Sequence, residues 1–310
     1  MPPTRSQAPA RPEACIFHIT TRAAALAARQ GGEYRADSLA GEGFIHLSQA
    51  HQVLDVARQF YAGQADLVVL VVDPGRLRAE LRWEPPSPPL HGQAAPIAGG
   101  QPAGADRARL FPHLYGPINA DAILDAPDLD RFDGRPIHAD TAALIGHYRF
   151  ERLPVEGTLF TSTWRSGRET AAGGPAGTAM IGLYAESPLS VSCFHRLDFD
   201  EVWHVYGGDP FRLHLLHPDG RYDSILMGGD PLAGQRVQLV VPARVWQAGC
   251  LEPGGRYALF GCTMSPGFTG GCFEAGVADE LARQYPGQAE LIRRLSVNGE
   301  HRRMPAGFAS

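Results

Sequence analysis

Paired cysteines are missing from this sequence. Its five cysteines (Cys15, Cys193, Cys250, Cys262 and Cys272) are odd in number, scattered, and form no Cys-x-x-Cys. That excludes a disulfide scaffold and points to free thiols in a reducing cytoplasm. A basic excess is missing too. With 28 Lys+Arg against 33 Asp+Glu the formal charge is -5, which argues against nucleic acid as a partner. No apolar run approaches the roughly 20 residues of a membrane helix, so no membrane role is expected. The opening MPPTRSQAPARPEA lacks the apolar core of a signal peptide. What is present, 310 residues of which 44% are hydrophobic, suffices for two packed domains.

The pattern along the chain changes once. Residues 1–13 are rich in Pro, Ala and Arg and read as a disordered tail. Over 14–126, short strands alternate with helices: Cys15 to Ile19, a helix from Thr21 to Gln30 stopped by Gly31-Gly32, Gly43 to Ser48, a helix from Ala50 to Tyr61, and the buried strand Leu67 to Val72. A Pro/Gly-rich insertion occupies 85–106, and order resumes at Phe111. Residues 127–140 read as a linker. From 141 to 310, many short apolar runs are broken by Gly, Pro and turns such as Pro218-Asp219-Gly220, with short helices only at the ends. The expected fold is an α+β domain followed by an all-β sandwich or barrel.

In the second half, His195 is followed by Glu201 and then by Gly208, with Pro242-Ala-Arg-Val-Trp-Gln247 further on. On a strand, Glu201, Trp203 and Val205 share one face and Val202, His204 and Tyr206 the other. An inward Glu201 needs a metal, an arginine or hydrogen-bond donors. His195 and Gln247 are its natural companions, and Arg165 or Arg196 its candidate counter-ions. The cysteines here read as inert core thiols.

This spacing resembles the cupin signature, with Leu197 and Gln247 where two of the usual metal-binding histidines belong. The wider stretch resembles the DUF985, or Cupin_5, family through Val155-Glu156-Gly157, Ser162-Thr-Trp-Arg165-Ser, His195-Arg196, Asp200-Glu-Val-Trp-His204, Val241-Pro-Ala-Arg-Val-Trp246-Gln247 and Gly261-Cys-Thr-Met-Ser-Pro-Gly-Phe268. The family usually has His-Pro-Glu-Gly-Gly where this chain has Pro154-Val-Glu-Gly-Thr158, and Arg244 replaces a glycine of the general motif. The resemblance implies a double-stranded β-helix, the cupin jelly-roll barrel. Its implied pocket holds Glu156, Arg165, Arg196, Trp203, His204, Trp246 and Gln247 around His195 and Glu201. A divalent metal on His195, Glu201 and Gln247 is one expectation, although an amide oxygen adds little affinity. A metal-free acid/base pair of His195 and Glu201 is the other. The resemblance also implies a homodimer paired through barrel edges.

Residues 14–126 resemble the DUF952 family through Ile16-Phe-His18-Ile-Thr20, Gly43-Phe-Ile-His46-Leu-Ser48, Leu70-Val-Val-Asp73-Pro and Phe111-Pro-His113-Leu-Tyr115-Gly-Pro. That family is distantly similar to ADP-ribosyltransferase-like folds. The similarity implies an NAD site in which His18 holds ribose, with His46 and Ser48 beside it and His113 near the reacting sugar carbon. No glutamate stands at a clear third-motif position, and no arginine cluster suits a 2′-phosphate.

Two functions of different class therefore stand side by side. Either the barrel performs isomerase- or epimerase-type proton transfer on a small sugar- or carboxylate-like metabolite, or it is a non-catalytic sensor of such a ligand fused to a nucleotide-binding domain.

Overall fold

The computed structural model describes residues 15–86, 109–171, 173–299 and 301–309. The expected tail over 1–13, and residues 87–106 of the expected insertion, lie outside these. The chain divides into two compact units between His147 and Tyr148.

The first unit is α+β. Its elements are β1 (Ile16–Thr21), α1 (Arg22–Gly31), β2 (Glu33–Tyr34), α2 (Asp37–Gly41), β3 (Ile45–His46), α3 (Ala50–Phe60), β4 (Leu67–Val72), β5 (Glu80–Glu84), β6 (Phe111–Tyr115), β7 (Ile118–Asn119), β8 (Ile123–Asp125) and α4 (Ala139–Tyr148), the last ending at the unit boundary. Among the described residues the strands form three small sheets, ordered β1-β4-β8, β2-β7 and β3-β6-β5. The run Leu-Val-Val-Leu-Val-Val of β4 is buried at every position, as a strand covered on both faces must be. Helix α1 starts where the Thr21 side chain accepts from Ala24 N, and it stops at Gly32, whose φ of 84° suits a residue without Cβ. Helix α3 starts on a reciprocal Gln49–Gln52 capping box.

The 127–140 stretch is not a free linker. Pro127 O accepts from Val69 N at 2.9 Å, Phe132 packs on Phe17 with ring centroids 5.1 Å apart, and Ile137 is buried. Its apolar residues hold it on the first unit.

The second unit is all-β, with helices at its margin. Its elements are β9 (Glu151–Arg152), β10 (Leu159–Arg165), β11 (Thr178–Ala185), β12 (Ser192–Leu197), β13 (Glu201–Gly208), β14 (Phe211–Leu216), β15 (Tyr222–Met227), β16 (Gln238–Val241), β17 (Trp246–Leu251), β18 (Tyr257–Met264), β19 (Phe273–Ala275), α5 (Ala278–Gln284) and α6 (Ala289–Arg294). Among the described residues one sheet runs β16-β13-β18-β11-β10-β9 and the other β15-β14-β17-β12-β19. The sheets face each other in a shared core, where Tyr184, Trp203 and Phe260 of the first meet Phe211 and Leu213 of the second. The outer face of the second sheet is covered by α5 and α6, so Phe194, Leu216 and Trp246 pack against Leu281, Ile292 and Leu295. The Pro218-Asp219-Gly220 turn joins β14 to β15 as a hairpin.

Gly182 in β11 lies directly against the Phe260 ring, where a Cβ would overlap it. Gly182→Ala is therefore expected to lower stability by about 1–3 kcal/mol in denaturant melts. Gly229→Ala, whose Cβ would meet nothing within 4 Å, should leave the midpoint unchanged. Equal midpoints for the two variants would show that the Phe260 ring can swing aside.

Candidate functional site

Strand alternation delivers the site. On β12 His195 points between the sheets, and on β13 Glu201 and Trp203 do the same, each less than a tenth exposed. The His195 ring stacks on Phe273 at 5.3 Å. Its Nδ1 lies 2.8 Å from the Cys193 carbonyl, which can only accept, so Nδ1 carries the proton. In the neutral ring Nε2 is then a bare lone pair. Among the described residues no hydrogen bond to it is found, and Glu156 Oε2 lies 4.0 Å away.

Glu156 arrives from an unusual turn. Its N–H donates to Pro154 O at 2.7 Å across Val155, whose φ is 67°. A β-branched residue at positive φ is strained and persists only where its surroundings hold it. Here they do: Gly157 N donates to Leu153 O, and Cys193 N to Glu156 O. On the side chain, Thr158 Oγ1 donates to Glu156 Oε1 at 2.6 Å. Thr158 is itself joined to Ser192, which accepts from Tyr184.

Glu201 is held by a directional chain. Trp203 Nε1 donates to Gln247 Oε1 at 2.9 Å, and Gln247 Nε2 donates to Glu201 Oε2 at 2.8 Å. An indole N–H cannot accept, so the amide orientation is forced. Burial raises the Glu201 pKa above its ordinary 4.5; nearby His195 opposes this, and nearby Glu156 adds to it. The Cys262 thiol also lies beside Glu201, its own pKa pushed well up by burial.

These groups open onto a cavity of about 300 Å³ inside the second unit. Its walls are largely apolar, with Leu153, Phe160, Met180, Leu197, Met264 and Phe268 among them. Phe308 and Ala309 of the C-terminal segment complete one side, and Arg165 stands at the exposed rim. Of the residues expected from the sequence, Glu156, Arg165, His195, Glu201 and Trp203 line this cavity, and Gln247 stands behind Glu201.

Three expected pocket residues point elsewhere, each for a reason of strand alternation. His204 faces outward and bonds Thr263 Oγ1 at 3.0 Å. Arg196 pairs with Glu274 and lies 4.5 Å over the Trp246 ring, which itself packs toward α5 and α6. Neither Arg165 nor Arg196 is a counter-ion to Glu201; its partners are Gln247, His195 and Cys262. Cys262, expected as an inert core thiol, is buried in the shared core and also lines the cavity. Phe308 gave no sequence signal, since it reaches the site through tertiary contacts.

The expected metal set does not fit. The Gln247 oxygen is taken by the donor-only indole, and its nitrogen faces Glu201, so His195 and Glu201 have no third donor there. Among the described residues no group of three or more His, Cys, Asp or Glu is arranged to hold a metal.

In the first unit His18 is a satisfied core histidine. Its Nδ1 meets the His46 carbonyl at 2.7 Å, and its Nε2 meets the Tyr34 hydroxyl at 2.9 Å. Burial lowers its pKa to about 4. Both ring nitrogens are committed, so the residue does not fit the expected ribose contact. His46 and His113 do come together, as cross-strand partners with ring centroids 5.4 Å apart. Phe44 stacks on His113 at 4.3 Å, and Glu84 Oε2 lies 2.9 Å from its Nδ1. His113 Nε2 is buried without a partner among the described residues, and burial lowers the ring's pKa. Ser48 is buried, its backbone paired with that of Phe17.

Residues 142–275 match the family model described as Cupin superfamily (DUF985), and residues 19–126 that described as protein of unknown function (DUF952). No curated protein matches the chain. Several solved structures do. A protein from Shewanella oneidensis is 29% identical over 50% of this chain and 96% of its own, with a TM-score of 0.47. A hypothetical protein from Leishmania major is 27% identical over 50% and 98%, with a TM-score of 0.45. A protein from Caulobacter crescentus is 31% identical over 42% and 98%, with a TM-score of 0.30.

Two titrations follow from this geometry. Glu201 binds its proton more tightly folded than unfolded, so it costs stability as pH rises from about 4.5 through the raised folded value, and the cost is level above that. Glu201→Gln, an isostere of the neutral acid, should therefore gain in melting temperature over the parent as pH rises through that window. A gap independent of pH would mean Glu201 ionises normally. His18 behaves oppositely: its contribution is present above pH 6.5 and is lost as pH falls to about 4. Its imidazole resonance should titrate near 4 by NMR; a midpoint near 6.5 would mean that the ring is open to water.

Proposed function

The chain joins a DUF952 domain (residues 19–126) to a domain of the Cupin superfamily (DUF985, residues 142–275), and from that premise we propose that the cupin cavity binds a small molecule and moves a proton on it. The observation that carries this reading is the pairing of a bare His195 Nε2 with a Glu201 biased toward its neutral acid, both facing one cavity. His195 takes the proton from a carbon activated by an adjacent carbonyl, and Glu201 donates to the oxygen on which charge develops. Glu156 then faces the imidazolium that forms. The reaction class is isomerisation or epimerisation. Every one of the 28 Lys+Arg positions is arginine, so no lysine imine takes part.

The facing antiparallel sheets support a jelly-roll barrel. The free edge of β16, with exposed Val240 on it and Val237 just before it, supports a homodimer. Five free thiols suit a cytoplasmic location. For the first unit, an ADP-ribosyltransferase-like fold with bound NAD gains no support from His18. A second reading, a sensor, is favoured by Phe308 and Ala309, because a ligand touching the cavity wall would also order the C-terminal segment.

The test is deuterium exchange. Small ketones and hydroxyketones incubated with the protein in D2O should take up deuterium beside the carbonyl, read by proton NMR. His195→Gln and Glu201→Gln should each slow this by about a hundredfold or more. A compound that binds yet keeps its protium would sink the enzyme reading and leave the sensor.

A further inference from the structure

We propose that the polar head taken by this cavity is a protonated amine carried on an apolar body. The proposal rests on reading the cavity as a small-molecule site, and it names the ligand class.

Hydrogen-bond direction carries the argument. His195 Nδ1 is fixed as a donor to Cys193 O, so Nε2 can only accept in the neutral ring. Glu156 spends Oε1 on Thr158 and leaves Oε2 toward His195. Glu201 spends Oε2 on Gln247 and is otherwise met by the weakly donating Cys262 thiol. Three buried acceptors thus line one cavity with few donors to meet them. Glu156 Oε2 and His195 Nε2, at 4.0 Å, are too far apart to bond each other. One nitrogen hydrogen-bonding at roughly 2.8–3.0 Å to each can bridge them. An ammonium group has three donors and no acceptor, which matches this set; a hydroxyl has one donor.

Charge points the same way. The cavity's two carboxyls are buried, whereas its one arginine, Arg165, is exposed at the rim beside the Phe268 and Ala309 carbonyls. A carboxylate or phosphate head would meet Glu156 and Glu201 without a cation inside. The sugar- or carboxylate-like ligand expected from the sequence therefore suits the interior less well than an amine. The apolar walls leave room for a hydrocarbon body but not for a polyol's many hydroxyls. Glu201 faces His195 from β12, Glu156 from its turn, and Cys262 from β18. A cation among them favours the ionised form of the Glu201 carboxyl and opposes the effect of burial on it. An ammonium that occupies the His195 lone pair beside an ionised Glu201 is held without proton transfer, so this inference deepens the sensor reading of the cavity, with Glu156 as the anchor of the nitrogen.

The experiment is isothermal titration calorimetry on the full chain near neutral pH with n-butylammonium, 1-butanol and butyrate. Butylammonium should bind, and butanol about tenfold or more weakly. Butyrate should not bind. Glu156→Gln should weaken butylammonium about tenfold or more and leave butanol nearly unchanged. If that variant fails to fold by circular dichroism, Glu201→Gln takes its place, with the same expected loss of butylammonium binding. Tighter binding of butanol or butyrate overturns the amine assignment and leaves the small-molecule site standing. Binding of none of the three overturns the amine, and absence of deuterium exchange as well overturns the function.

Discussion

A buried indole can donate one hydrogen bond and accept none, and the C-terminal cavity is organised around that asymmetry. Trp203 forces Gln247 to turn its oxygen away from the cavity and its N–H toward Glu201. Gln247 is thereby removed as a metal donor, and one oxygen of Glu201 is fixed as an acceptor. The remaining oxygen faces a space shared with His195 and Glu156. Replacing the chain by apolar groups would leave the buried carboxyl with only a weak thiol donor beside it, which is the costlier arrangement.

The three groups are delivered by different means. His195 and Glu201 come from the two-residue alternation of β12 and β13, which any half-buried strand enforces. Glu156 comes from a turn held at positive φ on a valine, a conformation that local sequence opposes and that the Leu153–Thr158 and Cys193 backbone bonds maintain. Strain beside a buried carboxylate marks the place where packing has been spent on geometry. In the first unit, His113 Nε2 has no partner among the described residues, on a sheet whose other face packs into the core through Ile45, Leu81 and Leu114.

Histidine illustrates how far residue type alone misleads. His18 and His195 each give Nδ1 to a backbone carbonyl. What separates them is the second nitrogen: Tyr34 meets that of His18, and nothing among the described residues meets that of His195. The first is consequently a structural residue with its pKa lowered to about 4, and the second is free to face a ligand. No spacing in the sequence distinguishes these two environments.

The sequence by itself determined the two-part organisation, the all-β character of the second half, and the common face of Glu201 and Trp203, because these follow from periodicity and turn residues, which are local. It also placed His195, Glu156 and Gln247 in one site through motif spacing. Tertiary structure decided the rest. The positions of Arg196 and Trp246 depend on α5 and α6 covering the outer face of the second sheet, and that of His204 on which face of the first sheet meets the shared core. The commitment of Gln247 depends on a tryptophan 44 residues away in sequence. Cys262 and Phe308 join the cavity only once distant strands and the C-terminal segment converge. Hydrogen-bond direction is a property of pairs, and one chain read in order does not say which pairs will meet.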